Sequence, residues 1–175
     1  MNSIRVLLNA VKGRNIKVGI TMNNGITYRC YVVKYIDTNH FIVTNRYEDY
    51  PLLNVESDNK KYNTIDVNYI GRVVIRASHW NNKDMDKTLI QNIIAVTNKV
   101  IDTTSVKYTV ETKDLSFNVY NGVYYDDNHI EFVDDYDNEV YLEYDKVIGI
   151  KVSNLWYEWK DVDESVAERD RKSVV

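Results

Sequence analysis

Apolar residues recur first at helical spacing and then at every second position, and this succession occurs twice along the chain. Ile4, Leu7, Leu8 and Val11 fall on one face of a helix that Asn2 or Ser3 can cap and Gly13 can end. Ile16, Val18, Ile20 and Met22 then alternate with Lys17, Gly19 and Thr21, which predicts a half-buried strand. Asn24-Gly25 predicts a hairpin turn, since both residues tolerate positive φ, and Tyr28, Cys30 and Val32 alternate in the return strand. HFIVTN predicts a third strand and NTIDVNYIGRVVIRAS one or two more, separated by the long polar insertion RYEDYPLLNVESDNKKY. The pattern then starts again. Leu89, Ile90, Ile93, Ile94, Thr97 and Ile101 mark a second helical face, with Asp84 or Asp86 near its N-cap. Val106, Tyr108 and Val110 alternate after it. LSFNVYNGVYYDD, HIEFVDD, EVYLEYDKV and IGIKVS predict four more strands, with a turn at Asp137-Asn138.

The two halves align. IKVGIT matches VKYTVE, and YIDTNH (35–40) matches YYDDNH (124–129) at an offset of 89. VIRAS (74–78) matches GIKVS (149–153) at an offset of 75, which assigns 14 extra loop residues to the first half. A helix followed by five short strands is thus written twice, and internal repetition governs the fold expected. Asp37, Asn39 and His40, with Asp126, Asn128 and His129, admit two readings: a base- or metal-binding loop used once per copy, or a turn. The turn is preferred, because Asp and Asn hydrogen-bond their own backbone and accept left-handed φ, while a stable zinc site needs three or four ligands.

The stretch LLNAVKGRNIKVGITMNNGITYRCYVVKYID resembles the Sm-like or Hfq-like small β-barrel family: a helix, a strand, an Asn-Gly turn, a long second strand and a closing aspartate, here Asp37. The resemblance covers most of residues 3–78 and a similar span, 85–153. It implies a mainly β (α+β) protein of two tandem Sm-like small barrels, each preceded by an α-helix. It also implies an RNA-binding loop at Asp37 and Asn39, and rings formed through edge strands. The sequence departs from the family where Tyr31 replaces a glycine in the bent second strand, and where YIGRVVIRAS replaces the late Arg-Gly and Tyr-Lys-His signatures. The expected domains are 1–82, 83–154 and an aromatic, charged tail at 155–175 ending in a short helix through Arg171.

Charge sharpens this picture. Residues 1–84 carry 12 Lys and Arg against 7 Asp and Glu, whereas residues 85–175 carry 10 against 19. A basic first half and an acidic second half suit head-to-tail contact between copies. The basic half, with Arg29 and Lys34 beside Tyr28, Tyr31 and Tyr35, also suits nucleic acid, through phosphate contact and base stacking; Asp37, Asn39 and His40 would complete that site. Trp156, Tyr157 and Trp159 read either as partner-interface anchors or as cover for the chain's own core. The acidic run DDYDNE lacks the glycine and distant glutamate of a calcium loop and reads as a hairpin tip. The single cysteine, Cys30, lies on the apolar face of a strand and reads as structural. No catalytic, metal or cofactor motif stands out. No apolar run approaches the ~20 residues of a membrane span, and the N-terminus lacks a signal-peptide core. The expectation is a non-enzymatic structural or scaffold protein that self-associates, a ring being one form, or docks on other proteins. Its composition suits a phage or another low-GC genome, with a cytoplasmic or virion location. The alternatives are an Sm-like RNA-binding regulator and a phage inhibitor of a host protein.

Overall fold

The computed structural model describes residues 3–45, 62–76, 87–100, 106–155 and 157. Helix α1 (Ser3–Val11) buries Ile4, Leu7, Leu8 and Val11, as the helical spacing requires. It is followed by β1 (Lys17–Met22), which buries Val18 and Ile20, and by β2 (Thr27–Tyr35). The turn between them differs from the one expected. Only Gly25 takes positive φ, at 89°; the Gly25 N–H donates to Met22 O at 2.9 Å and the Met22 N–H to Ile26 O at 2.8 Å. Asn24 stays right-handed and its Oδ1 accepts from the Ile26 N–H. This is a longer hairpin loop closed by one left-handed residue, not a two-residue turn. The β2–β3 register shifts between Val32 and Lys34, an irregularity of the ladder one residue past Tyr31.

Strands β3 (His40–Thr44) and β4 (Asn63–Asp66) follow, then a 3₁₀ turn (Val67–Tyr69) and β5 (Ile70–Arg76). Asp66 caps the 3₁₀ turn by accepting from the Asn68 N–H. The second half repeats the order: α2 (Lys87–Val100), β6 (Val106–Glu111), β7 (Ser116–Asn118), β8 (Tyr124–Tyr125), β9 (His129–Val133), β10 (Glu139–Glu143), a 3₁₀ turn (Tyr144–Lys146) and β11 (Gly149–Asn154). Here the single strand expected over LSFNVYNGVYYDD is split into β7 and β8. Where the ladder is interrupted, the Asn98 side chain of α2 takes over. Its Nδ2 donates to Val123 O at 2.7 Å and its Oδ1 accepts from the Val123 N–H at 2.9 Å.

The strands pair in two sheets, in the orders β4-β3-β2-β1-β5-β11-β6-β7 and β10-β9-β8. The sequence suggests two separate barrels; the pairing found instead carries one antiparallel sheet across both halves, because β5 and β11 hydrogen-bond to each other. The 3₁₀ turns lie 77 positions apart (144 − 67), and the pairings Val18 with Ile75 and Tyr108 with Val152 match at offsets of 90 and 77. The strand match read from VIRAS and GIKVS at 75 is therefore two residues out. Val74 faces Lys151, its own counterpart at offset 77, so the β5–β11 seam lies on an approximate two-fold axis.

One hydrophobic core spans the seam. It takes Leu7 and Leu8 from α1, Ile90 and Ile93 from α2, and Val73, Ile75, Ile150 and Val152 from the seam strands. The helices pack against each other. The boundary expected at 82/83 lies outside the described residues, as does the tail helix apart from Leu155 and Tyr157.

Candidate functional site

The two Asp-x-x-His segments fold alike. Asp37 Oδ1 accepts from the backbone N–H groups of Asn39 (2.8 Å) and His40 (3.0 Å), and Asp126 Oδ1 accepts from those of Asn128 (2.8 Å) and His129 (3.0 Å). These bonds hold both carboxyls below the usual aspartate range, the Asn39 and Asn128 N–H groups contributing most. Each histidine then lies between two carboxylates. His40 Nδ1 is 2.8 Å from Asp37 and its Nε2 is 3.5 Å from Asp66; His129 Nδ1 is 3.0 Å from Asp126 and its Nε2 is 2.7 Å from Glu131. The hydrogen bond to Asp37 pushes the His40 pKa up. Both nitrogens of each ring thus face carboxylates, which fixes the orientation of the two histidines in their turns. Among the described residues, no group of three or more His, Cys, Asp or Glu side chains is placed to hold a metal ion. Cys30 is buried, and burial pushes its thiol up to about 12, which suits a packing role rather than a nucleophile.

Of the nucleic-acid residues expected from the sequence, the fold brings Asp37, Asn39 and His40 into one turn. Arg29 and Lys34 are exposed on β2, but at opposite ends of the bent strand. Five residues of strand separate them by about 16 Å. The tyrosine faces already carry cations of the same half. Lys12 Nζ lies 4.5 Å above the Tyr35 ring and Arg5 lies 5.7 Å from it, while Lys17 stands 5.9 Å from the Tyr31 ring. Of the three tail anchors, Trp156 and Trp159 lie outside the described residues. Tyr157 is buried in its own chain: an added Cβ on Gly71 would come 2.5 Å from the Tyr157 ring, and Arg72 lies over that ring at 5.2 Å. Tyr157 is thus packed against β5 of its own chain.

Two charged faces emerge that the split into halves does not describe. The first is the outer face of the large sheet. Register places Arg29, Gly19, Val74, Lys151 and Thr109 in one row across β2, β1, β5, β11 and β6. Residues two positions along share that face, which adds Lys17, Arg72, Arg76 and Lys107. Six cations thus share the face with one acid among these positions, Glu111, which is buried and paired to Arg76 Nε at 3.1 Å. Gly149 sits between Arg76 and Glu111 in register, and its missing side chain lets the pair close over it.

The second face is the three-stranded sheet. Tyr124, Glu131 and Tyr141 lie in one row across β8, β9 and β10. Tyr120, Tyr124 and Tyr141 are each 60% exposed, and they line a cleft of about 760 Å³ with Glu131, Asp137 and Glu139. His129 stacks on Tyr141 with ring centroids 4.1 Å apart, which fixes that ring. Residues 126–145 contain nine Asp and Glu and no Lys or Arg, so the segment is strongly acidic, with His129 set between Asp126 and Glu131. The sequence carries its signal: Glu139, Tyr141 and Glu143 alternate with Val140 and Leu142, an exposed tyrosine on an acidic strand face. Among the described residues no helix is long and apolar enough to cross a membrane. Compared with known proteins, the chain matches no family model, no curated relative and no solved structure.

Proposed function

We propose that this chain is a non-enzymatic scaffold protein that works by protein–protein contact, built from two copies of an Sm-like small-barrel unit fused side by side through β5 and β11. The repeated order of helix, strands, 3₁₀ turn and last strand supports the unit, and the two-fold seam supports its duplication. The observation that carries the function is the exposed tyrosine face of β8–β10. Tyr124 and Tyr141 stand exposed on this sheet, with exposed Tyr120 beside them at the rim of the same cleft. Exposed aromatic side chains gathered on a rigid element are what protein interfaces are built from. A structural role in a phage particle or its assembly is consistent with this reading.

The cationic outer face of the large sheet favours a second reading, an RNA-binding regulator, since Lys17, Arg29 and Lys151 share one face with few acids. Two measurements on the wild-type protein separate the readings: solution mass across concentration, and filter binding to single-stranded RNA across salt. Mass above the monomer with no RNA retained at low salt is the outcome expected. A strict monomer that binds RNA, with affinity lost on charge reversal at Arg29 and Lys34, overturns the scaffold reading in favour of the regulator.

A further inference from the structure

The cleft on the three-stranded sheet has walls of one electrical sign. Glu131, Asp137 and Glu139 line it with Tyr120, Tyr124 and Tyr141, and among the described residues no Lys, Arg or His lines it. We propose that this cleft seats an extended basic segment of a partner protein, with lysine or arginine side chains at alternate positions lying over the tyrosine rings. This inference rests on the scaffold reading and names the chemistry of the partner.

Acidic side chains alone would attract any cation; the rings and the register narrow the choice. The floor of the cleft is two rows across the sheet. In the first row Tyr124 and Tyr141 flank Glu131, each at the strand spacing of about 4.8 Å. A lysine or arginine head above Glu131 is within the ~6 Å reach of both rings for cation–π attraction and meets the carboxylate as well. This row is both held and open. His129 Nε2 lies 2.7 Å from the Glu131 carboxylate and its ring stacks on Tyr141, while the Glu131 side chain stays 51% exposed. In the second row exposed Glu139 faces Val133, and the Tyr120 N–H donates to Val133 O at 3.0 Å from the other side. A ring and a carboxylate thus stand in this row too. Glu131 and Glu139 are diagonal neighbours on adjacent strands, a separation of about 7–8 Å. Alternate residues of an extended chain project to one side at about 6.6–6.8 Å. Basic side chains at i and i+2 therefore match the two carboxylates, one over each row, whereas a small organic cation would fill one row only.

The test is an NMR titration of the isotope-labelled full chain with synthetic peptides in ~50 mM and ~500 mM salt, where the screening length shortens from about 14 Å to about 4 Å. A Ser/Thr peptide carrying two lysines as Lys-Thr-Lys is expected to shift the amide signals of Tyr124, Glu131, Glu139 and Tyr141 at low salt and to lose most of its affinity at high salt. Its isomer with the lysines adjacent, which an extended chain points to opposite sides, should bind about threefold more weakly. Glu131→Gln with Glu139→Gln should weaken the spaced peptide about tenfold. Tyr141→Ala should weaken it about threefold and Tyr141→Phe should not, since the ring and not the hydroxyl attracts the cation. Equal affinity for the two isomers, or unchanged affinity in the Gln double variant, overturns this docking and leaves the scaffold reading standing. Tetramethylammonium binding as tightly as the spaced peptide would make the cleft a small-cation site and overturn it as well. Absence of shifts at low salt also overturns it, and solution mass then decides what survives. Mass that rises with concentration in the wild type but not in the Gln double variant puts a second copy in the cleft and keeps the scaffold reading; a strict monomer that binds RNA removes that reading too.

Discussion

At the level of single residues, the chain spends its Asp, Asn and His side chains on backbone geometry. The clearest case is the Asp37–His40 pair, whose two titrations act in opposite directions. Asp37 is held below the ordinary 3.8, so its contribution is present above that value and lost as pH falls through the lowered one. His40 is held above the ordinary 6.5, so its contribution is complete below 6.5 and lost as pH rises through the raised one. The turn is therefore tightest between 3.8 and 6.5. Both side chains are well exposed, so the effect belongs in a local readout. In an NMR titration the His40 ring should show a midpoint above 6.5, and Asp37→Asn should bring it back down; a wild-type midpoint at or below 6.5 contradicts the pairing. Asn98 makes a second case. Its amide supplies both hydrogen bonds to buried Val123 where β7 and β8 part. Asn98→Ala leaves a donor and an acceptor unpaired and should cost about 1–3 kcal/mol in chemical denaturation. A change within error would mean that water replaces the amide. At the hairpin tip Asp137 takes φ 66° in the place Gly25 takes in the first hairpin, while Asp134 accepts from the Tyr136 and Asn138 N–H groups. Asp137→Gly should be neutral or stabilising by about 0.5–1 kcal/mol, as a left-handed position allows.

Among the elements, periodicity was legible and termination was not. The spacing of Ile4, Leu7, Leu8 and Val11 was enough to place α1, and the alternation around Cys30 was enough to place β2. What alternation cannot show is where a strand stops pairing. Val119 and Val123 are both buried, so the run through YNGVYY looks continuous, yet the ladder breaks there and a helix side chain fills in. The offset of 75 between VIRAS and GIKVS fails for a related reason. A slip of two residues returns every side chain to the same face, so the hydrophobic pattern is blind to it; the 3₁₀ turns, whose ends are fixed by backbone bonds, give 77. Tyr157 was ambiguous because burial of an aromatic depends on a distant element. Gly71 on β5 supplies the space. Gly71→Ala should push the ring aside and cost about 1–3 kcal/mol. The same substitution in a Tyr157→Ala background should cost well under half of that. Equal costs in both backgrounds would show that the ring is not what fills the space.

For the whole molecule, the sequence made the repetition legible but not the way the two copies join. Counting charge by halves puts Lys107 and Lys151 in the acidic half, yet register lays them on the cationic face with Arg29, because the sheet crosses the midpoint of the chain. Pairing partners far apart in sequence decide this, and no local pattern encodes them. The seam has a thermodynamic consequence. Each half alone would leave an unpaired edge at β5 or β11, and would strip the shared core of the helix packed from the other side. Unpaired edges and exposed apolar faces are costly, so the halves should unfold together as one cooperative unit. Urea unfolding followed through Leu8 and Ile93 methyl signals, one from each helix, should give coincident midpoints. Val152→Ala at the seam removes buried apolar contact from β11, and both midpoints should fall together by the equivalent of about 1–3 kcal/mol. Two independent domains would behave differently. The β11 change would then lower the Ile93 midpoint alone and leave Leu8 unmoved, and that separation would break the single-sheet account of how the two copies are joined.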